Sequence, residues 1–101
     1  MSGRVEGKIA LITGAAGGLG AAMARMFAKQ GARLALTDID AERVQALADS
    51  INAQYPDTAS AYAHDVTLED DWARVVASAV RDLGGLSVLV NNAGIGGKLV
   101  Y

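Results

Sequence analysis

The chain has 101 residues, of which 51% are hydrophobic, and its 9 Lys and Arg residues against 11 Asp and Glu residues give a net charge of −2. This size and hydrophobicity are typical of one folded domain and unlike a disordered segment. The chain is too short for a (β/α)₈ barrel. It contains no cysteine, which excludes a disulfide scaffold, a thiol nucleophile and a cysteine-ligated metal site within it.

The charge and hydropathy patterns also limit the partners. The acidic balance is unlike the basic surface of a nucleic-acid-binding protein. No apolar run approaches the length of a membrane span, and the charged N-terminal residues before a short apolar run are unlike a signal peptide. We therefore predict a protein with no nucleic-acid partner, no membrane contact and no metal site. Because a cysteine-free chain needs no oxidising compartment, we also predict a cytoplasmic location.

Short apolar runs alternate with longer amphipathic segments from the start of the chain. The first strand is predicted over residues 8–13, and a glycine-rich turn follows it over residues 14–20. A helix begins in this turn, and Gly31 is expected to end it. Its predicted apolar face consists of Leu19, Met23, Met26 and Phe27, which have helical spacing. A second strand is predicted over residues 33–38.

The same alternation continues through the middle of the chain. Asp40 is expected to cap the second helix, which ends before Pro56 and Asp57. A third strand is predicted over residues 59–65. Because it is less hydrophobic than the first two strands, we expect it near an edge of the sheet.

The third helix and fourth strand complete the pattern. Thr67 is expected to cap the helix, with Asp70 as its partner in a capping box, and Gly84 and Gly85 end it. The predicted apolar stripe of this helix consists of Leu68, Trp72, Val75, Val76, Ala79, Val80 and Leu83. The fourth strand is predicted over residues 86–91.

The order β-α-β-α-β-α-β predicts an α/β domain with a doubly wound parallel sheet of the Rossmann type and right-handed crossovers. The strand order 3-2-1-4 places helices one and two on one face of the sheet and helix three on the other. We predict a single domain over residues 1–101. The outer side of the fourth strand, at residues 88–90, is expected to be an open apolar edge.

The glycine-rich turn lies between a strand and a helix, which is where parallel α/β folds bind phosphate groups. The N–H groups at the start of a helix are free, and they carry a partial positive charge. We assign the tight bend to Gly14, a close backbone approach to the ligand to Gly18, and helix–strand packing to Gly20. A glycine-rich turn that binds nothing is the alternative.

Asp38 ends the second strand, 18 positions after Gly20. A carboxylate at this place can accept hydrogen bonds from an adenosine ribose, and it repels a 2′-phosphate. Ile39 and Ala16 are uncharged, which favours NAD over NADP. The alternative is an acidic residue that only starts the loop and helps to cap the next helix.

The chain contains four motifs in this order. They are Thr13-Gly-x-x-x-Gly18-x-Gly20, Asp38, Asp65-Val66 and Asn91-Asn92-Ala93-Gly94. Together they resemble the short-chain dehydrogenase/reductase family over almost the whole chain. The resemblance implies an NAD-dependent oxidoreductase that interconverts an alcohol and a ketone by hydride transfer.

The resemblance also implies roles for individual residues. Asp65 and Val66 would lie against the adenine, the Asn91 segment would line the cofactor cleft, and Asn92 would brace the sheet. The full set of predicted cofactor-binding residues is Gly14, Ala16, Gly18, Leu19, Gly20, Asp38, Ile39, Asp65, Val66, Asn91, Ala93 and Gly94.

The catalytic residues of the family have no match in this chain. Family members are much longer, and their catalytic Ser and Tyr-x-x-x-Lys lie beyond the region of resemblance. Tyr101 has no Lys four positions later. We therefore predict no catalytic residue here, and a cofactor-binding half that is inactive alone. The complete protein is expected to be a homo-oligomer that acts on a small molecule. The alternatives are a non-catalytic nucleotide-binding module, half of a split enzyme, or an assembly role through the fourth strand.

His64 and Trp72 lie outside these motifs. The lone His64 is expected to be a residue near solvent at the end of the third strand rather than a general base. Trp72 lies in the apolar stripe of the third helix, so we expect core or subunit packing rather than substrate stacking.

Overall fold

The fold is described from a computed structural model, which covers residues 6–93 and 98–100. The elements in chain order are β1 (Ile9–Ile12), α1 (Gly18–Lys29), β2 (Arg33–Asp38), α2 (Ala41–Gln54), β3 (Ala59–Ala63), α3 (Glu69–Leu83), β4 (Val88–Asn91) and β5 (Lys98–Val100). Among the described residues, none of the helices has both the length and the hydropathy that crossing a membrane requires.

The five strands form one sheet in the order β3-β2-β1-β4-β5. The first four in this order are parallel, and Leu11 of β1 lies between Ala35 of β2 and Leu89 of β4. This confirms the predicted doubly wound parallel sheet with the order 3-2-1-4. It also confirms that β3 lies at an edge.

The outer side of β4 is paired, so the prediction of an open edge at residues 88–90 is wrong. β5 runs antiparallel to β4, with Leu89 opposite Val100 and Asn91 opposite Lys98. β5 thus supplies backbone partners to the edge that the parallel part of the sheet leaves free. Backbone N–H and C=O groups strongly favour such pairing. Gly94, one of the predicted cofactor-binding residues, lies outside the described residues.

The core has two layers, because successive strand residues point to opposite faces of the sheet. One face packs against α1 and α2, and the other packs against α3, as the handedness of the crossovers predicts. The first layer includes Ala10, Ile12, Leu34, Leu36, Ala24, Ala28, Val44, Leu47, Ala48 and Ile51. The second layer includes Leu11, Ala35, Val75, Ala79 and Leu83.

Helix α1 buries a different face from the one its large apolar residues predict. Its buried residues are Gly20, Ala24 and Ala28, whereas Leu19 and Met26 are 63% and 49% exposed. The small residues recur every four positions and let the helix axis approach the sheet closely. The large side chains of Met23 and Phe27 pack only partly against this layer.

Helix α3 begins one residue later than predicted, and Thr67 does not cap it. Leu68 is the N-cap residue, with no side-chain cap hydrogen bond. The Thr67 hydroxyl and N–H both donate to Asp65 Oδ1, at 2.6 and 3.0 Å, so Thr67 closes a local turn instead. By contrast, Asp40 caps α2 as predicted, because its side chain accepts from the N–H of Arg43 at 3.1 Å.

Only part of the predicted stripe on α3 is buried. The buried members are Val75, Ala79 and Leu83. The exposed members are Leu68, Val76 and Val80. One helix therefore covers this face of the sheet with a narrower contact than the sequence pattern indicates.

Gly20 is the residue at which α1 tolerates no side chain. A Cβ atom there would collide with the Gly14 carbonyl oxygen and lie 2.8 Å from both Ala15 Cα and Asn92 Nδ2. We expect Gly20→Ala to lower the free energy of unfolding by about 1–3 kcal/mol, measured by urea denaturation. The matched control is Gly18→Ala, since a Cβ at Gly18 meets nothing within 4 Å. Equal stability of the two variants would contradict this packing.

Candidate cofactor-binding site

The turn after β1 lies directly against the segment that follows β4. Gly14 has φ of 61°, and a Cβ atom there would lie 3.0 Å from the backbone of Ala93. The Asn92 side-chain amide donates to the Gly14 carbonyl oxygen at 3.1 Å. Asn92 thus braces the glycine-rich turn, and this contact links the carboxyl ends of the central strands β1 and β4.

Thr13 is a residue of this site for which sequence reasoning gave no role. It is fully buried. Its hydroxyl donates to Asn91 Oδ1 at 3.0 Å and accepts from the Ala93 N–H at 3.0 Å. Asn91 is thereby turned towards β1. The sequence feature that could have indicated this role is a hydroxyl residue at the end of a buried strand. At that place its hydroxyl can bond polar groups at the end of the neighbouring strand, which here is β4.

The N-terminus of α1 is the only one of the three described helices with neither a side-chain cap nor an acidic residue in its first turn. Gly17 is its N-cap residue, and Gly18 and Leu19 begin the helix. N–H groups in the first turn have no partner within the helix. This end of α1 is therefore able to hold an anion.

Asp38 is held at the rim of the same turn by two backbone groups. Its Oδ2 accepts from the Ala16 N–H at 3.0 Å, and its Oδ1 accepts from the Asp40 N–H at 2.9 Å. The Arg43 guanidinium donates to the Ala16 carbonyl oxygen at 3.0 Å. The carboxylate thus has a fixed position, and it also starts the loop before α2, so the alternative interpretation of Asp38 describes part of its role.

A cavity of about 230 Å³ opens at the carboxyl ends of the strands. Its lining consists of Gly14, Asp38, Ile39, His64, Asp65, Val66, Thr67 and Ala93. Six of these eight are among the predicted cofactor-binding residues. Ile39 is 75% exposed and offers an apolar surface beside the cavity.

The remaining predicted residues lie next to this cavity rather than in its lining. Ala16 lies in the turn, while Gly18, Leu19 and Gly20 form the start of α1. Asn91 ends β4. The structure therefore brings together the ends of β1, β2, β3 and β4, with Gly94 outside the described residues.

The Asp65 carboxyl group lies in this site beside Thr67. The hydroxyl and N–H of Thr67 donate to its Oδ1, and these two hydrogen bonds hold the pKa of Asp65 below its ordinary value. A carboxylate and an adjacent apolar residue, Val66, thus form one wall of the cavity.

His64 is buried, so the expectation that it lies near solvent is wrong. It is 3% exposed, its Nδ1 is 2.9 Å from the Thr37 hydroxyl, and its ring meets the Trp72 ring edge to face at 4.4 Å. Helix α3 covers the end of β3, which the sequence pattern alone did not indicate. Burial lowers the pKa of His64, against the opposing charges of Asp71 and Asp65.

A larger cavity, of about 360 Å³, lies between α1 and α2. It is lined by side chains from the second half of α1, including Arg25 and Lys29, and from the end of α2 with the Tyr55 that follows it. Because α1 starts at the carboxyl ends of the strands, its second half lies towards the opposite edge of the sheet. None of the motif residues lines this cavity.

Comparison with known proteins identifies the family. A family profile described as short chain dehydrogenase matches residues 8–100. The chain is 42% identical over 95 residues to the 3-beta-hydroxysteroid dehydrogenase of Comamonas testosteroni, covering 94% of this chain and 36% of that protein. It is 46% identical over 95 residues to momilactone A synthase of Oryza sativa subsp. japonica, covering 93% and 33%. The chain belongs to the short-chain dehydrogenase/reductase family.

Solved structures agree with this assignment. The 3-ketoacyl-(acyl-carrier-protein) reductase of Brucella melitensis, complexed with NADH, has a TM-score of 0.83 and 43% identity, over 91% of this chain and 36% of that one. The L-sorbose reductase of Gluconobacter frateurii, complexed with NADPH and L-sorbose, has a TM-score of 0.86 and 36% identity, over 95% and 36%. The chain thus spans about a third of the length of these relatives. The family consists of oxidoreductases that use nicotinamide cofactors.

The burial of His64 predicts an acid-sensitive component of stability. Its pKa lies below the ordinary value of about 6.5, so above that value His64 is neutral in both the folded and unfolded states. Below it, the unfolded chain binds a proton that folded His64 does not, and stability falls. The unfolding free energy of the wild type should therefore fall between about pH 7.5 and about pH 5.5 by more than that of His64→Gln.

His64→Gln is a suitable comparison because it retains a group that can bond the Thr37 hydroxyl. His64 is the only histidine, so the carboxylates contribute in the same way to both proteins. Urea unfolding at the two pH values measures the difference. An identical pH dependence of the two proteins would contradict the burial of a neutral imidazole.

Proposed function

We propose that the whole protein is an NAD-dependent oxidoreductase that interconverts an alcohol and a ketone by hydride transfer, and that this chain supplies its cofactor-binding half. The observation that carries the proposal is the cavity at the strand ends. Residues from all four motifs line it, beside the uncapped N-terminus of α1. In open parallel sheets, ligands bind outside the carboxyl ends of the strands where the strand order reverses, which here is between β1 and β4.

The residues present fit a dinucleotide. We assign the pyrophosphate to the free N–H groups of Gly18 and Leu19, where a Cβ at Gly18 would meet no atom of this chain within 4 Å. We assign the adenosine ribose to Asp38 and the adenine to the cavity beside Ile39 and Asp65.

The segment after β4 completes the assignment. Asn91, Ala93 and Gly94 would line the part of the cleft nearer the nicotinamide. The bound cofactor would supply or accept the hydride, and this chain's residues would bind and orient it.

The choice of NAD over NADP rests on Asp38. The relatives with solved structures include a complex with NADH and one with NADPH, so the family alone leaves the choice open. The Asp38 carboxylate is fixed by two N–H groups and cannot easily turn away from a 2′-phosphate. Its charge would oppose that group, and both oxygens retain a lone pair for ribose hydroxyls.

We extend the proposal to further attributes of the whole protein. We propose a small-molecule substrate, a homo-oligomeric state and a cytoplasmic location. We also propose that this chain alone binds the nucleotide without turning over a substrate, because none of its described residues is placed as a proton donor to a carbonyl oxygen. Saturable NADH binding without alcohol oxidation is the expected behaviour of the isolated chain.

The first test concerns the ribose. We expect Asp38→Asn to weaken NADH binding by about tenfold or more, because it removes charged hydrogen bonds to the ribose, and to strengthen NADPH binding. Isothermal titration calorimetry with both dinucleotides measures this. Asp49→Asn is the matched control, since it removes an exposed carboxylate from α2 away from the cavity. An unchanged NADH-to-NADPH affinity ratio in Asp38→Asn would overturn the assignment.

The second test concerns the pyrophosphate. Gly18→Ala should leave the unfolding free energy close to that of the wild type and weaken NADH binding by about tenfold or more, because the new methyl group takes the place of a phosphate oxygen. Gly85→Ala is the control, since its Cβ would make only an ordinary 3.8 Å contact with Ile9. Unaltered NADH affinity in a folded Gly18→Ala protein would contradict the assignment of the pyrophosphate to this turn.

A further inference from the structure

We propose that Asp71 and Trp72, in the first turn of α3, are positioning residues for the recognition of adenine. They hold the segment formed by Asp65 and Val66, and through it they set which purine the cavity accepts. This inference rests on the proposed function, because it concerns the adenine end of the same cofactor.

Two consecutive residues of α3 form hydrogen bonds with the backbone groups at the two ends of this segment. The Trp72 indole N–H donates to the Val66 carbonyl oxygen at 2.8 Å. Asp71 Oδ2 accepts from the Asp65 N–H at 2.9 Å. The segment is thereby fixed at both ends to a helix, although it lies in a connection that belongs to no helix or strand.

Helix α3 is a rigid support for these bonds. Val75, Ala79 and Leu83 bury it against the sheet. The Trp72 ring packs partly against the same layer and meets the buried His64 ring edge to face at 4.4 Å. The indole N–H therefore has a fixed position before any ligand binds, and such preorganisation lowers the entropy lost on binding.

The hydrogen bonds within the segment leave two groups for a ligand. Asp65 Oδ1 accepts twice from Thr67. In the described part of the chain, neither the other Asp65 oxygen nor the Val66 N–H has a hydrogen-bond partner. Both residues line the cavity.

One acceptor beside one donor matches the edge of an aminopurine. On the Watson–Crick edge of adenine, the exocyclic amino group donates and the adjacent ring nitrogen N1 accepts. Hypoxanthine has a carbonyl group and a ring N–H at these positions, so it would place acceptor against acceptor and donor against donor. The spacing of the Asp65 oxygen and the Val66 N–H depends on how Asp71 and Trp72 hold the backbone between them.

The test compares NADH with its deamino analogue, in which hypoxanthine replaces adenine, by isothermal titration calorimetry of the protein. The wild type should prefer NADH. Trp72→Phe keeps an aromatic ring but leaves the Val66 carbonyl without its donor, and we expect it to reduce this preference about three- to tenfold. The control is Val75→Ala, which loosens α3 at a buried position without touching the segment, and it should retain the preference.

A second pair of variants keeps the test decisive if Trp72→Phe does not fold. Asp71→Asn retains an oxygen that can accept from the Asp65 N–H but loses the ion pair with Arg74, which is 3.5 Å away. Asp71→Ala loses both. The preference for NADH should survive in Asp71→Asn and fall in Asp71→Ala, which separates the hydrogen bond from the charge.

The outcomes separate this inference from the proposed function. A wild type that binds neither dinucleotide contradicts the proposed function itself. A wild type that binds both equally, or a Trp72→Phe protein that loses affinity for both by the same factor, overturns the positioning role alone. The same holds if Val75→Ala lowers the preference as much as Trp72→Phe.

Discussion

The close approach of the turn after β1 to the segment after β4 is the constraint on which the rest of the site depends. Gly20 leaves room for the Gly14 carbonyl and the Asn92 amide, and the Thr13 hydroxyl bonds the Ala93 N–H across the same gap. These contacts bring α1 down onto the end of the sheet and aim its free N–H groups beyond the strands. A single added methyl group at Gly20 would separate the two halves of this arrangement.

The two sides of the cavity are stabilised in different ways. On the side of α1, backbone contacts and the fixed Asp38 carboxylate define the surface. On the side of α3, side chains do so, because Asp71 and Trp72 bond the peptide groups of the adjoining connection. On the first side, glycine residues leave backbone groups exposed. On the second side, Asp71 and Trp72 fix the loop that contains Asp65 and Val66. Together the two sides form the cleft in which we propose that the pyrophosphate and the adenine bind.

Much of this could be predicted from sequence because the signals are periodic or local. Alternating apolar runs determine the order of strands and helices, and the handedness of crossovers then places α3 opposite α1 and α2. The motif residues Gly14, Asp38 and Asp65 follow successive strands, and the ends of parallel strands meet at one edge. Six predicted residues consequently line one cavity.

The remaining features depend on contacts that the hydrophobic pattern of the sequence does not encode. The burial of His64 requires Trp72 to cover it, and the failure of Thr67 as a cap depends on its competing bonds to Asp65. Helix α1 buries alanines rather than Met26 because the distance to the sheet, not hydrophobicity alone, selects its face. The pairing of β5 with the nearby β4 uses backbone groups, so it leaves no pattern of side chains in the sequence.

The most direct test of the central claim is a crystal structure of the protein with NAD. We predict the pyrophosphate at the N–H groups that begin α1, the ribose hydroxyls on Asp38, and the adenine in the cavity against Ile39 and Val66. Adenine bound instead in the larger cavity beside Arg25 and Tyr55 would contradict it, as would a pyrophosphate that does not contact the turn after β1.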